Sequence, residues 1–149
     1  FSDYTRKRRF VQLPEGSAIR YRATGPFAFP VGARLVKTFA MPADLREPAG
    51  EERLLETRIL TRTEEGWSAS VYAWDAAQAD AELEPVGDIV PLSWTHDDGS
   101  QRDQRYVIPT VNDCAACHSV GGALRRLRRP RGEGSSLPPA VSQRRRHPP

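Results

Sequence analysis

The sequence predicts a mainly β protein, in which a small antiparallel β domain is followed by a short helical segment and a disordered basic tail. Several short runs are rich in β-branched and aromatic residues, and residues 67–74 (WSASVYAW) alternate large and small side chains with the period of two that strands require. Two tight-turn signals, EEG at 64–66 and DDG at 97–99, join such runs into hairpins. The 13 prolines and 11 glycines also favour many turns.

The elements are expected in the following order. Residues 1–19 form an N-terminal segment with a basic cluster, and residues 20–110 form the antiparallel β domain. Residues 75–84 are alanine-rich and acidic, which favours one or two helical turns. Pro91 indicates that its strand lies at an edge or bends. The expected strands cover residues 35–39, 54–63, 67–74, 88–94 and 104–108.

The charge of the chain is divided between two parts. Residues 1–120 contain 14 Lys and Arg against 18 Asp and Glu, a net charge of −4, whereas residues 121–149 contain eight Arg against one Glu, a net charge of +7. The sequence pI of about 9.2 therefore reflects the end of the chain, and it does not indicate that the protein binds nucleic acid. Residues 123–149 lack aromatic residues and are expected to be disordered. They form an anion-binding arm or are translated out of frame, and their Arg, Gly and Pro content favours the second interpretation.

The most specific feature is the sequence CAACH at 114–118, which uses the only two cysteines of the chain. A C-x-x-C-H motif is the signature of covalent c-type haem attachment. Both thiols form thioethers with the haem vinyl groups, and the histidine binds the iron. The sequence therefore predicts one haem c, bound through Cys114 and Cys117 with His118 as the proximal ligand. Residues 111–122 are then the start of a truncated cytochrome c domain.

Other interpretations of the motif stay open. A thioredoxin-like redox pair uses the same gap, but it follows a strand in a βαβ unit and needs no histidine. A structural zinc site needs four ligands, and the remaining histidines, His96 and His147, are isolated in the sequence. A disulfide would close a very small loop. In each case Asn112 or Asp113 is placed to cap a helix that carries the motif.

The sequence offers only weak candidates for a second axial ligand of the iron. Met41 is the only methionine, and a methionine ligand raises the reduction potential, but a residue in this position is more often part of a core or loop. His96 precedes two aspartates and is typical of a turn. Without a sixth protein ligand, the iron binds water or keeps an open position.

Export is expected from the chemistry of the motif. The chain has no run of 18 apolar residues, so no membrane span is predicted. It begins at Phe1 and shows no secretory signal. Because haem is attached to cysteines outside the bacterial cytoplasm, we expect a periplasmic or otherwise exported protein whose signal peptide is not present in this chain.

Several stretches match a known family in order as well as in content: residues 1–4, 7–11, 13–16, 29–39, 55–60 and 106–109, the last leading into 114–118. With these stretches the chain resembles, over about residues 1–122, the N-terminal part of a family of largely uncharacterised bacterial c-type cytochromes. The resemblance implies an exported protein that has a β-rich first domain joined to a haem-c domain. The first hypothesis for its function is an electron carrier that exchanges electrons with redox partner proteins. In that family the chain runs on well past the motif, which supports the out-of-frame interpretation of residues 123–149.

Two other functions remain open. A β-rich domain followed by a haem-c motif is also similar to the lysine-cross-linked haem proteins that oxidise hydroxylamine, and Lys37 would then be the candidate cross-linking residue beside an open iron position. The third hypothesis is a β interaction module without haem, whose basic arm binds an acidic partner and releases it in salt. The sequence favours a one-electron carrier over a catalyst.

Overall fold

The computed structural model describes residues 4–118, apart from the side chains of residues 115, 117 and 118. It contains a five-stranded antiparallel sheet in which the strands follow their order in the chain, and a separate two-stranded hairpin. The prediction of a mainly antiparallel β protein is therefore confirmed. The predictions for residues 119–122 and for the basic tail at 123–149 lie outside the described residues. The sheet contains β1 (Arg6–Gln12), β2 (Arg34–Pro42), β3 (Glu52–Thr63), β4 (Gly66–Trp74) and β5 (Ala81–Leu83); β6 (Asp88–Thr95) and β7 (Gln101–Ile108) form the hairpin; α1 (Val111–His118) follows.

Both expected hairpin turns are present. The turn between β3 and β4 ends at Gly66, whose φ of 144° is one that residues other than glycine rarely adopt. β6 and β7 are joined through a turn in which the backbone N–H of Gly99 donates to the carbonyl of His96 at 2.8 Å. Gly99 has a φ of 81°, which explains why glycine ends the DDG signal.

Two segments differ from the sequence-based expectation. The basic N-terminal cluster lies in β1, which pairs with β2 along its whole length and forms one edge of the sheet. Residues 75–84 are not helical, because their polar side chains satisfy the backbone of a turn instead. Asp75 accepts from the backbone of Ala79 at 2.9 Å, and the Gln78 side chain bridges to the backbone N–H of Leu54 at 2.6 Å. The expected helical turns are therefore wrong, and β5 occupies the end of this segment.

The register defines two faces of the five-stranded sheet. Residues directly opposite one another share a face, so Phe39, Glu56 and Ala73 lie on the same side, as do Lys37, Arg58 and Val71. This side, which we call the inner face, packs against the β6–β7 hairpin and α1. The buried core cluster between them contains Met41, Leu55, Ala69, Val71, Leu92, Trp94, Tyr106, Ile108 and Cys114.

A β-bulge in β3 contributes two consecutive residues to the buried interior. The pairing with β2 shifts between Phe39 and Ala40, which oppose Glu56 and Leu54, so Leu55 is an extra residue without a partner in the ladder. Leu55 is 2% exposed and belongs to the core cluster, and Glu56 beside it is fully buried. The bulge thus places an apolar and a charged side chain side by side under the hairpin.

Candidate functional site

Helix α1, which carries the CAACH motif, begins at a capping box. The Thr110 hydroxyl accepts from the backbone N–H of Asp113 at 3.2 Å, and the Asp113 carboxylate accepts from the backbone N–H of Thr110 at 2.9 Å. The Thr110 hydroxyl also donates to this carboxylate at 2.8 Å, and this bond holds the pKa of Asp113 below its ordinary value. Thr110 is therefore the N-cap. The expectation that Asn112 or Asp113 caps the helix is wrong, because Asp113 lies in the first turn and closes the box from inside.

The start of the helix is fixed against the loop between β5 and β6. The backbone N–H of Val111 donates to the carbonyl of Pro85 at 3.3 Å. Gly87 has a φ of 82°, and a Cβ at this position would lie 2.8 Å from the carbonyl oxygen of Ile108. A side chain at Gly87 would therefore push this loop away from the end of β7, from which the chain leads into the helix. These contacts place the motif on the inner face, against β4.

Cys114, the first cysteine of the motif, lies in the core. It is 6% exposed and belongs to the same apolar cluster as Val71, Tyr106 and Ile108. It is also near enough to Arg58 to interact electrostatically with the guanidinium. The helical backbone continues through Cys117 and His118. Their side chains lie outside the description, so the convergence of the three motif groups stays a prediction.

A buried polar network, which the sequence analysis did not identify, lies beside Cys114. The carboxylate of Glu56 accepts from Nε and Nη2 of Arg58 at 2.8 and 2.5 Å, and from the hydroxyl of Tyr106 at 2.6 Å. Burial and the charge of Glu56 raise the pKa of Tyr106, so this phenol stays protonated and acts as a donor. Burial acts to lower the pKa of Arg58, but the hydrogen bonds and charge of Glu56 outweigh it and the pKa is raised.

The sequence contains a signal for this network. Glu56 and Arg58 are two residues apart on a strand, a spacing that places both side chains on one face. An acidic and a basic residue with this spacing inside an apolar run favour an internal ion pair. The third member, Tyr106, comes from β7, and only the packing of the hairpin on the inner face brings it there.

Three basic residues lie in line across the first three strands of the inner face. Arg9 is directly opposite Lys37, and Lys37 is directly opposite Arg58. We call these residues the cationic row; Lys7, on the same face of β1, lies next to it. Burial first, and then the positive charges of Arg9, Arg58 and Lys7, lower the pKa of Lys37. The row begins at the network beside Cys114 and runs outwards to the edge strand.

The weak candidates for a second iron ligand lie in different places. Met41 is 3% exposed and belongs to the core cluster that also contains Cys114. His96 lies in the β6–β7 turn, where its ring contacts Tyr4 edge-on with centroids 5.3 Å apart and its Nδ1 lies 3.5 Å from Asp98. The structure thus brings Met41, but not His96, into one cluster with the motif. Among the side chains that the structure describes, which do not include those of Cys117 and His118, no group of three or more His, Cys, Asp and Glu residues could hold a metal ion.

The residues around the motif fit a covalently bound haem in two respects. Cys114 is surrounded by apolar side chains, which suit the hydrocarbon body of a porphyrin. Arg58, the inner end of the cationic row, offers positive charge near Cys114, and haem carries two carboxylates. Cys114 is nevertheless buried by the β domain itself, so a macrocycle attached to its sulphur has to lie against this domain.

The comparisons with known proteins add no relative. In the described part of the chain, no helix has the length and apolar character to cross a membrane. No protein-family model, curated protein or solved structure matches the chain.

Proposed function

We propose that the protein is an exported c-type cytochrome that binds one haem covalently and transfers electrons. The thiols of Cys114 and Cys117 hold the macrocycle, and the imidazole of His118 binds the iron. One observation carries the proposal: the two cysteines and the adjacent histidine occur in the C-x-x-C-H order on a helix that packs on an apolar core. In a helix, residues three apart are neighbours on the surface, and the two cysteines have this spacing.

The haem supplies the one-electron chemistry, and the chain supplies its surroundings. The apolar residues next to Cys114 would exclude water from a haem bound there and so tune its reduction potential. The Glu56, Arg58 and Tyr106 network fixes charges beside the motif in a buried and hydrogen-bonded arrangement. Because Cys114 is 6% exposed, the helix would have to move away from the sheet, or not yet be packed on it, for the thioether to form.

The test is co-expression of the full chain with a haem-ligation system in a competent periplasm. We expect a haem-stained band on a denaturing gel and an intact mass increased by one haem. Cys114→Ser and Cys117→Ser should each reduce the staining, and the double variant should abolish it. Ala116→Ser is the matched control, because Ala116 lies between the cysteines on an exposed position and its replacement keeps the motif intact. A colourless wild-type protein without added mass would refute the proposal.

The spectrum of the loaded protein tests the iron ligands. His118→Ala should leave the covalent bonds in place and change the visible spectrum, because the proximal ligand is lost. If Met41 is the second ligand, Met41→Leu should remove the sulphur-to-iron band and lower the potential. His96→Gln serves as the control, since His96 lies in the β6–β7 turn and outside the cluster that contains Cys114.

A haem enzyme with an open iron position is the second candidate, and the position of Lys37 favours it. Lys37 lies on the inner face directly opposite Arg58, which interacts with Cys114. Its lowered pKa increases the fraction of neutral, nucleophilic amine. A cross-link would give a displaced and broad Soret band, and digestion would yield a peptide in which Lys37 carries haem. A sharp, ordinary ferrous c-type spectrum would exclude this candidate.

A further inference from the structure

The inner face of the sheet has an open half next to the half that the hairpin and α1 cover. Arg9 is exposed, Lys37 is half-buried, and Val11 on the same side of β1 is 54% exposed. The chain has only two lysines, Lys7 and Lys37, and both lie on this half. A sheet face that collects both lysines and two arginines is a charged surface rather than a core.

The cationic row is electrostatically unfavourable as it stands. Like charges directly opposite each other on neighbouring strands destabilise a sheet. Arg9 faces Lys37, and Lys37 faces Arg58, so the row contains two such pairs in succession. Within residues 4–118, neither Arg9 nor Lys37 forms an ion pair with a carboxylate.

Among the described residues, the carboxylate that lies beside the row on the inner face is that of Glu56, and it already has hydrogen-bond donors. Glu56 binds Arg58 through both of its oxygens and also accepts from Tyr106. It is fully buried and cannot reach out along the row. Glu56 thus neutralises Arg58, and although its charge also acts on Lys37, it forms no ion pair with Lys37 or Arg9.

The aromatic ring of Phe39 holds two members of the row in place. The ammonium nitrogen of Lys37 lies 4.7 Å from the ring centroid, and the guanidinium carbon of Arg58 lies 4.3 Å from it. Phe39 is 1% exposed, so it forms a fixed floor between the two cations. Their head groups are therefore positioned in advance, which reduces the entropy lost when a ligand binds.

We propose that the cationic row is a binding site for carboxylate groups, with Arg9 and Lys37 as its direct contacts and Arg58 as its inner end. Two sources supply this chemistry. The first is the pair of propionates on a haem attached at Cys114, which rests on the proposed function. The second is a small carboxylate from solution, which does not.

The test uses the full chain, prepared without haem ligation, and malonate as the probe. The rate at which Lys37 is acetylated by a dilute acylating reagent is measured by mass spectrometry in malonate and in chloride at equal ionic strength. We expect malonate to slow the acetylation of Lys37 several-fold relative to chloride, because the bound carboxylate keeps the ammonium protonated and covered. Equal rates in the two salts would overturn the proposal for the haem-free protein.

Two matched variants separate the row from general charge. Arg9→Gln should abolish most of the protection by malonate, because it removes the neighbouring contact. Arg105→Gln makes the same change of charge on the exposed side of the hairpin and should leave the protection unchanged. Loss of protection in both variants would show only non-specific attraction of anions and would overturn the assignment to the row.

The haem-loaded protein identifies the source of the carboxylate. If Lys37 is protected in chloride alone, the haem propionates occupy the row. If it is protected only in malonate, the ligand comes from solution and the row stays open. A haem-derived mass on Lys37 itself would overturn carboxylate binding in the loaded protein. A protein that takes up no haem refutes the proposed function but leaves the malonate experiment and its outcome intact.

Discussion

The two halves of the inner face use the same strands in opposite ways. In the covered half, Ala69 and Val71 of β4 pack with Cys114 under the hairpin and the helix. In the open half, Arg9 and Lys37 of β1 and β2 face each other without a carboxylate partner among residues 4–118. The comparison teaches that burial gives stability in one half of the inner face, while the other half retains charge that folding alone does not require.

The boundary between the halves should show the largest effect. Glu56→Ala leaves Arg58 half-buried without its carboxylate and Tyr106 without an acceptor. Because removing one member of a buried ion pair exposes the cost of desolvating the other, we expect a loss of about 3 kcal/mol in the free energy of unfolding. Denaturant unfolding followed by tryptophan fluorescence measures it. Glu82→Ala, an exposed position on the same face, is the control and should change stability by less than about 0.5 kcal/mol.

Tyr106→Phe tests the hydroxyl within the same network. The variant keeps the ring in the core but removes one hydrogen bond to a buried carboxylate, which contributes about 2 kcal/mol. Tyr21→Phe is the matched control, because Tyr21 is 78% exposed. If both variants unfold at the wild-type denaturant concentration, the hydrogen bond between Tyr106 and Glu56 does not contribute to stability.

In the open half the sign of the effect should reverse. Lys37→Gln removes a cation that lies between two others, so we expect the haem-free protein to gain about 0.5 kcal/mol of stability at low salt. The gain should shrink at high ionic strength, because salt already screens exposed charges. Thermal unfolding at two salt concentrations checks both points. A destabilised variant would mean that the contact of Lys37 with Phe39 stabilises the sheet, and that Lys37 is not kept for ligand binding alone.

The smallest effect is expected far from both halves, in the β6–β7 turn. The Ser100 side chain donates to the Asp98 carboxylate at 2.5 Å, and this bond with the backbone N–H of Ser100 lowers the pKa of Asp98 to about 2. A carboxylate whose pKa is lowered by folding stabilises the folded state at pH values above its pKa in the unfolded state, which is near 4. This contribution is lost as the pH falls towards 2. NMR titration of the Asp98 carboxyl carbon should give this midpoint. Ser100→Ala should raise it, whereas Ser93→Ala, in the neighbouring strand, should not.

The sequence was sufficient for the parts of the fold that depend on local pattern. Period-two alternation at residues 67–74 and the DDG turn predicted strands and hairpins correctly, because both features act over a few neighbouring residues. The helical expectation for residues 75–84 failed because alanine content was outweighed by Asp75 and Gln78, whose side chains bond to the backbone of a turn. The N-cap was misplaced for a related reason, since Thr110 belongs to the same four-residue box as Asp113.

The surroundings of the candidate site could be predicted only in part. The motif itself is visible in the sequence, and so is the same-face spacing of Glu56 and Arg58. The cationic row needs the register of three strands, and the Tyr106 contact needs the docking of a hairpin 50 residues further along the chain. Such long-range pairings are set by how faces fit together, and no local pattern encodes them.

The extra residue in β3 has a consequence for how the charged network is housed. In a regular strand, consecutive side chains point to opposite faces of the sheet, so only one of Leu55 and Glu56 would lie on the inner face. Because β3 carries one residue more than its partner, Leu55 and Glu56 are both buried although they are adjacent in the sequence. Deleting Leu55 would let β3 pair with β2 in a regular register, but it would leave a cavity beside Glu56.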